Sequence, residues 1–167
     1  MMHMNVMGRQ RGVTFFEVLI VMGIFALVSS FALLVSMQSY RSANFRSDRN
    51  LLVAALQRAR AQSMNNVCLG TVCTDGKAHG VAIQPIDHLD SFVVFQTSSG
   101  GGYTGRASSD IAHDAIFPVN PNSVITQTTI VFTQLSGTAP ASVIEIDQAG
   151  YDSDVHVETN GRIWWTI

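Results

Sequence analysis

Glu17 is the side chain whose setting most demands a chemical explanation. It stands in residues 13–35, a run of 23 whose other polar members are Thr14, Ser29 and Ser30. A carboxylate within hydrocarbon costs on the order of 3 kcal/mol even on the lenient insertion scale, so it marks a functional site and calls for a partner. Cys68 and Cys73 form a second candidate, enclosing Leu69, Gly70, Thr71 and Val72. In a straight strand they would face opposite sides, but Gly70 permits a bend, and outside the cytoplasm they can oxidise. The expectation is a small-loop disulfide, against two buried thiols; no His or further Cys pair stands at zinc-like spacing. Asp147, Gly150, Asp152 and Asp154 read as an acidic turn. Oxygen-rich turns can hold calcium, but this spacing is not an EF-hand loop, and a solvated turn is the favoured reading.

Nothing else in the chain has the pattern of a catalyst. His3, His79, His88, His113 and His156 show no H-E-x-x-H arrangement, and no activated nucleophile stands out. The glycine-rich residues 97–109 lack the Gly-Lys-Ser/Thr ending of a phosphate cradle and read as a mobile loop. No catalytic residue and no cofactor is assigned, and the chain is expected not to be an enzyme.

The 167 residues are enough for one domain with an added segment. Apolar residues make up 47% and charged residues 13%, about half the charge of an ordinary soluble domain. The apolar excess sits in residues 13–35, and about 20 helical residues suffice to cross a bilayer core. Arg9 and Arg11 precede the run with no acidic residue among the first twelve, so the amino end should stay in the cytoplasm and the carboxyl end lie outside. A removable secretory signal, a permanent anchor and a soluble core helix all compete for such a beginning. The run is too long for a signal-peptide centre and no small-residue cleavage site follows it, while a plain anchor leaves Glu17 unexplained.

Helical periodicity continues through Phe45, Leu52, Leu56 and Ala59, with Arg46, Arg49, Gln57 and Arg60 on another face read as solvated. A helix over 13–64 would be about 75 Å long, with its first half covered by lipid or neighbouring chains and its second half packed on a head. From residue 65 onward the pattern is β-rich, with candidate strands at 67–72, 80–84, 92–96, 124–132, 143–146, 155–158 and 162–167. Turn chemistry at Thr74-Asp75-Gly76-Lys77 predicts a hairpin joining the first two.

Taken together, Gly12-Val13-Thr14-Phe15-Phe16-Glu17-Val18-Leu19-Ile20 behind a basic leader resembles the cleavage and methylation signal of type IV pilins and pseudopilins. The resemblance implies a leader at 1–12, cleavage between Gly12 and Val13 by a prepilin peptidase, and N-methylation of Val13. Val13 replaces the family's common Phe, and the span lacks the mid-helix proline of many major pilins, with Leu34 near that place, which leans toward a minor subunit. Glu17 then has a physical role. The new amine lies about 6 Å away along the axis, and a unit-charge pair ~4 Å apart is worth roughly 4 kcal/mol before desolvation at an effective dielectric near 20. Amine of one subunit and carboxylate of the next would set register between stems. The competing reading is a carboxylate that snorkels to headgroup water.

Leu56-Gln57-Arg58-Ala59-Arg60-Ala61-Gln62-Ser63 and the closing Gly161-Arg162-Ile163 are similar to the GspH/FimT group of minor pseudopilins and minor pilins. The implied architecture is α+β, with a stem helix over 13–64 (13–35 crossing the membrane) and an antiparallel, sandwich-like head over 65–167. The implied function is a structural subunit of a type II secretion pseudopilus or type IV pilus. It would be anchored once in the bacterial inner membrane with its head on the periplasmic side. Its implied partners are the peptidase, other pilin subunits, membrane lipid before assembly and, indirectly, an assembly platform and ATPase. Some members bind DNA through arginines near the carboxyl end. Arg162 occupies such a position, but no second basic residue follows it, and 44–167 holds seven Lys/Arg against eleven Asp/Glu, which disfavours phosphate. A DNA-binding minor pilin for transformation and a single-pass anchored binding domain are the alternatives.

Overall fold

The computed structural model describes residues 14–70, 75–86, 88–97, 101–148 and 150–166. Helix α1, Phe15–Met64, is 50 residues long and is followed by an almost wholly β remainder. The chain divides into two compact units, one ending at Tyr40 and the other running from Arg41 to Ile167.

In the first unit every described α1 side chain is exposed, including Phe15 at 82% and Phe25 at 69%. This is the surface of a helix whose cover is lipid or another chain, since water would oppose so much apolar area. Ser29 and Ser30 hide their hydroxyls by donating to the carbonyls of Phe25 (2.7 Å) and Ala26 (2.8 Å), one turn back.

In the second unit α1 becomes one-sided. Phe45, Leu52, Leu56 and Ala59 are buried, as their spacing predicts. The helix ends because Asn66 turns left-handed at φ 54°, while Val67 N–H donates to the Gln62 carbonyl (3.0 Å) and Asn66 N–H to that of Ser63 (3.2 Å). That is a Schellman closure, with Asn in the place usually held by Gly. The arginines differ from the solvated face expected of them. Arg46 and Arg58 are exposed, Arg49 is buried, and Arg60 bonds the carbonyls of Gly137 (3.4 Å) and Asn160 (3.2 Å). Gly137 (φ 64°) and Gly161 (φ 77°) allow that approach, since a Cβ on Gly161 would overlap the Gly137 carbonyl.

Two four-stranded antiparallel sheets complete this unit. The first has the order β3 (Ala115–Pro118), β2 (Leu89–Gln96), β1 (His79–Ile86), β5 (Thr129–Phe132). The second has the order β4 (Val124–Ile125), β6 (Ser142–Gln148), β7 (Tyr151–Val157), β8 (Ile163–Thr166). Strands β6 and β7 alternate cleanly, with Ile144, Ile146, Val155 and Val157 entering one core with Leu52, Leu56, Phe92 and Phe132. The α+β architecture of a long apolar helix followed by antiparallel sheets is therefore present.

Several local expectations fail for identifiable reasons. Among the described residues, 67–70 form no strand and β1 pairs with β2 and β5, while the rest of the expected strand and the start of its turn, residues 71–74, lie outside the described residues. The segment 124–132 is two strands in different sheets, a break that alternation within it did not reveal. Residues 101–114 do not behave as a free loop. They contain the short helix α2 (Ser108–Ile111), and Tyr103 packs with Ala82, Val93 and Phe95 on the outer face of the first sheet. That cover explains why β1 and β2 are buried on both faces.

Candidate functional site

The amino end of α1 assembles the first candidate site. Gly12 and Val13 lie outside the described residues. Thr14 caps the helix: its Oγ1 accepts the Glu17 N–H at 3.3 Å, and its carbonyl accepts the same N–H (3.0 Å) and that of Val18 (3.3 Å). Glu17 thus occupies the third helical position, where the positive end of the helix favours an anion. The signal was in plain view, since Thr14-x-x-Glu17 has capping-box spacing, and Thr14 is the residue sequence reasoning missed here. Glu17 is exposed, and no ion pair among the described residues uses it. Val18, Val21, Met22 and Phe25, all exposed, recur from it at helical spacing, so this side of the helix is an apolar face headed by one charge.

The other candidates lie in the second unit. Cys68 is disulfide-bonded, and Cys73 lies outside the described residues. Asp147, Asp152 and Asp154 are not in a turn but on β6 and β7, with Asp147 opposite Asp152 and Asp154 opposite Glu145. Paired residues share a face of the sheet, so these carboxylates lie side by side; among the described residues no three ligating side chains are grouped for a metal. Arg162 is exposed, with Nη1 3.9 Å from Glu158. Trp164 and Trp165 separate as alternation requires: Trp164 stacks on His156 (3.9 Å between centroids) and donates to Glu158, while Trp165 meets Arg49.

Two buried polar clusters of this unit were not foreseen. Lys77 and Gln96 both donate to Asp110 Oδ1, at 2.9 and 2.6 Å, and the Lys77 bond above all holds this carboxyl below the usual range. Gln96 also bonds both backbone groups of Leu69, tying the stretch beside Cys68 to β2. No periodicity announces such a clamp, because its members are scattered between residues 69 and 110.

His79 is fully buried, with its N–H donating to Ser63 Oγ (2.8 Å) and its Nε2 3.0 Å from the Val67 carbonyl. A carbonyl only accepts, so the ring is protonated on Nε2, and Nδ1 is sealed without a partner. Burial pushes the His79 pKa down, the Val67 bond opposing it and the Lys77 charge adding to it. A depressed histidine contributes stability that is complete above the ordinary histidine range and is lost as pH falls through it toward the folded value. Unfolding free energy should therefore drop as pH falls from ~7.5 to ~5.5, by at most about 1.4 kcal/mol per unit for one proton. Replacement of His79→Phe should abolish that slope in urea titrations followed by tryptophan fluorescence, and an unchanged slope would assign it elsewhere.

Comparison with known proteins bears on the amino end. Residues 7–33 match the family model for the prokaryotic N-terminal methylation motif. No curated protein and no solved structure matches the chain. The matched segment includes Arg9, Arg11, the capped start of α1 and Glu17. Motif and exposed apolar helix together support the reading of this chain as a type IV pilin-like prepilin, a substrate of prepilin peptidase with a membrane-anchoring helix.

Proposed function

We propose that the chain is a structural, non-enzymatic subunit of the GspH/FimT kind, a minor pseudopilin or minor pilin of a type II secretion pseudopilus or type IV pilus. It is cut between Gly12 and Val13 and methylated on the Val13 amine. It waits in the bacterial inner membrane with its head on the periplasmic side, then enters the filament by seating its stem among those of other subunits. Glu17 meets the Val13 amine of a neighbour, and Cys68 pairs with Cys73 to brace the start of the head. The carrying observation is the methylation-motif match at 7–33, within which Glu17 stands on the third helical position as the one ionisable residue of the apolar stretch 13–35.

Mass spectrometry of the mature amino terminus tests the reading. A peptide beginning at N-methylated Val13 is expected, and the peptide containing Cys68 and Cys73 should carry no alkylatable thiol before reduction. A chain that keeps its first twelve residues, in cells that trim other prepilins normally, overturns the proposal and leaves the anchored binding domain in its place.

A further inference from the structure

We infer that Asn160 is a self-modification site, its side-chain amide converting to a carboxylate through a cyclic imide with the Gly161 nitrogen, and that Arg60 sets the rate by holding the turn closed. The head thereby carries a one-way chemical change that needs no enzyme.

Asparagine followed by glycine is the pair in which this chemistry is least hindered, because no side chain shields the attacking nitrogen. The chain has that pair once, at Asn160-Gly161. It lies in the three-residue loop between β7 and β8, where Glu158 N–H donates to the Arg162 carbonyl (2.9 Å) and Gly161 takes a left-handed φ of 77°. Asn160 is exposed, so water reaches its amide. The amide is also held one way round: Oδ1 accepts the Arg162 N–H at 2.7 Å, and Nδ2 donates to Glu158 Oε2 at 3.3 Å. Negative charge develops on Oδ1 as the imide ring closes, and the Arg162 N–H already points at it.

The conversion balances with water alone. Hydroxide removes the Gly161 amide proton, and the nitrogen attacks Asn160 Cγ, forming the N–C bond of the ring. The oxyanion collapses, the Cγ–Nδ2 bond breaks, and the departing nitrogen takes a proton from water and leaves as ammonia, which restores the hydroxide. Water then opens the imide at one carbonyl or the other, giving aspartate or its isomer linked through the side-chain carbon. Nothing is oxidised or reduced.

The closed turn opposes the first step. Gly161 N–H donates to the Glu158 carbonyl at 2.8 Å, so the nucleophile is occupied until the turn opens. Two ties from α1 resist that opening, since Arg60 Nη2 donates to the Asn160 carbonyl (3.2 Å) and Nε to the Gly137 carbonyl (3.4 Å). Arg60 is therefore a positioning residue. Gly161 itself sits so close to Gly137 that a Cβ on it would stand 2.0 Å from the Gly137 carbonyl oxygen. The isomer adds one carbon to the main chain, which so tight a seat does not accept. The aspartate product sets a second carboxylate beside that of Glu158, and the two repel. Either product loosens the turn from which it came.

The test ages full-length protein in detergent at mildly alkaline pH and follows the peptide holding residues 158–162 by mass spectrometry, with fragmentation that distinguishes the isomer. Asn160 should convert ahead of every other asparagine, and more slowly in native protein than in urea. Arg60→Met should raise the native rate roughly tenfold, the effect of two lost hydrogen bonds on the open population, whereas the exposed neighbour Arg58→Met should not. Hydrogen exchange at the Gly161 amide of the unaltered chain measures opening directly, so the claim stays testable if Arg60→Met fails to fold. Sub-denaturing urea that doubles this exchange should double conversion. The inference is overturned by an Asn160 that stays intact while other asparagines convert, by equal rates in native and unfolded protein, by a folded Arg60→Met head that converts no faster, or by conversion that ignores Gly161 exchange. None of these outcomes depends on filament assembly.

Discussion

Replacing Glu17→Ala should leave the protein in the membrane and reduce its recovery in sheared filaments or pseudopili by tenfold or more. Anchoring depends on the apolar run, from which this substitution removes the one ionisable residue, so the membrane pool should persist. Incorporation depends on the charge. A pair worth roughly 4 kcal/mol before desolvation needs to retain only about 1.4 kcal/mol to give a tenfold preference for the paired state. The structure adds a second use for the same side chain, because Glu17 sits three residues after Thr14 with its N–H 3.3 Å from Thr14 Oγ1. A carboxylate there also suits the helix start, by about 0.3 to 1 kcal/mol. Glu17→Gln separates the two uses, since glutamine serves a capping box almost as well as glutamate but carries no charge. If the neighbour's amine is what Glu17 meets, Gln should fail as Ala does. Filaments that accept the Gln variant at the normal level would move the role of Glu17 from assembly to capping.

The features legible in the sequence were those governed by local periodicity. Leu52, Leu56 and Ala59 announced the buried face of α1, and Ile144, Ile146, Val155 and Val157 announced β6 and β7, because burial on one side imposes a repeat of 3.6 or 2. Glu17 was legible for the opposite reason, as the one ionisable residue in an apolar run. What stayed hidden depends on partners distant in the chain. Residues 67–70 have strand-like composition but are held as a loop by Gln96, 27 residues away, so β-propensity lost to a tertiary clamp. The acidic residues near Gly150 read as a turn because strand length could not be judged from charged positions; register placed them on β6 and β7. Residues 101–109 looked mobile because glycine and serine dominate them, whereas Tyr103 and Arg106 fix the segment to the first sheet.

Arg106 gives that segment its largest energetic lever, and Asp114→Ala should cost the head about 3 to 5 kcal/mol. The guanidinium binds both carboxylate oxygens, Nη1 to Oδ1 at 2.6 Å and Nη2 to Oδ2 at 2.8 Å, with the side chains 2% and 5% exposed. Nε donates to the Tyr103 carbonyl at 2.7 Å, and the cation lies 4.9 Å from the Phe95 ring centre and 4.4 Å from that of Tyr103. The Asp114 hydrogen bonds push the Arg106 pKa further up, and even without them a guanidinium keeps its proton, so losing the carboxylate cannot be relieved by deprotonation. The alanine variant therefore strands a desolvated cation, and the segment should lift from Phe95 to hydrate it. Replacing both partners, Arg106→Met with Asp114→Leu, removes the charge together with its counter-charge and should cost less than Asp114→Ala alone. Urea unfolding of the three proteins decides the matter. A double variant weaker than the single one would show that the ion pair contributes net stability of its own, whereas the expected order makes it a device that fixes where residues 101–114 lie.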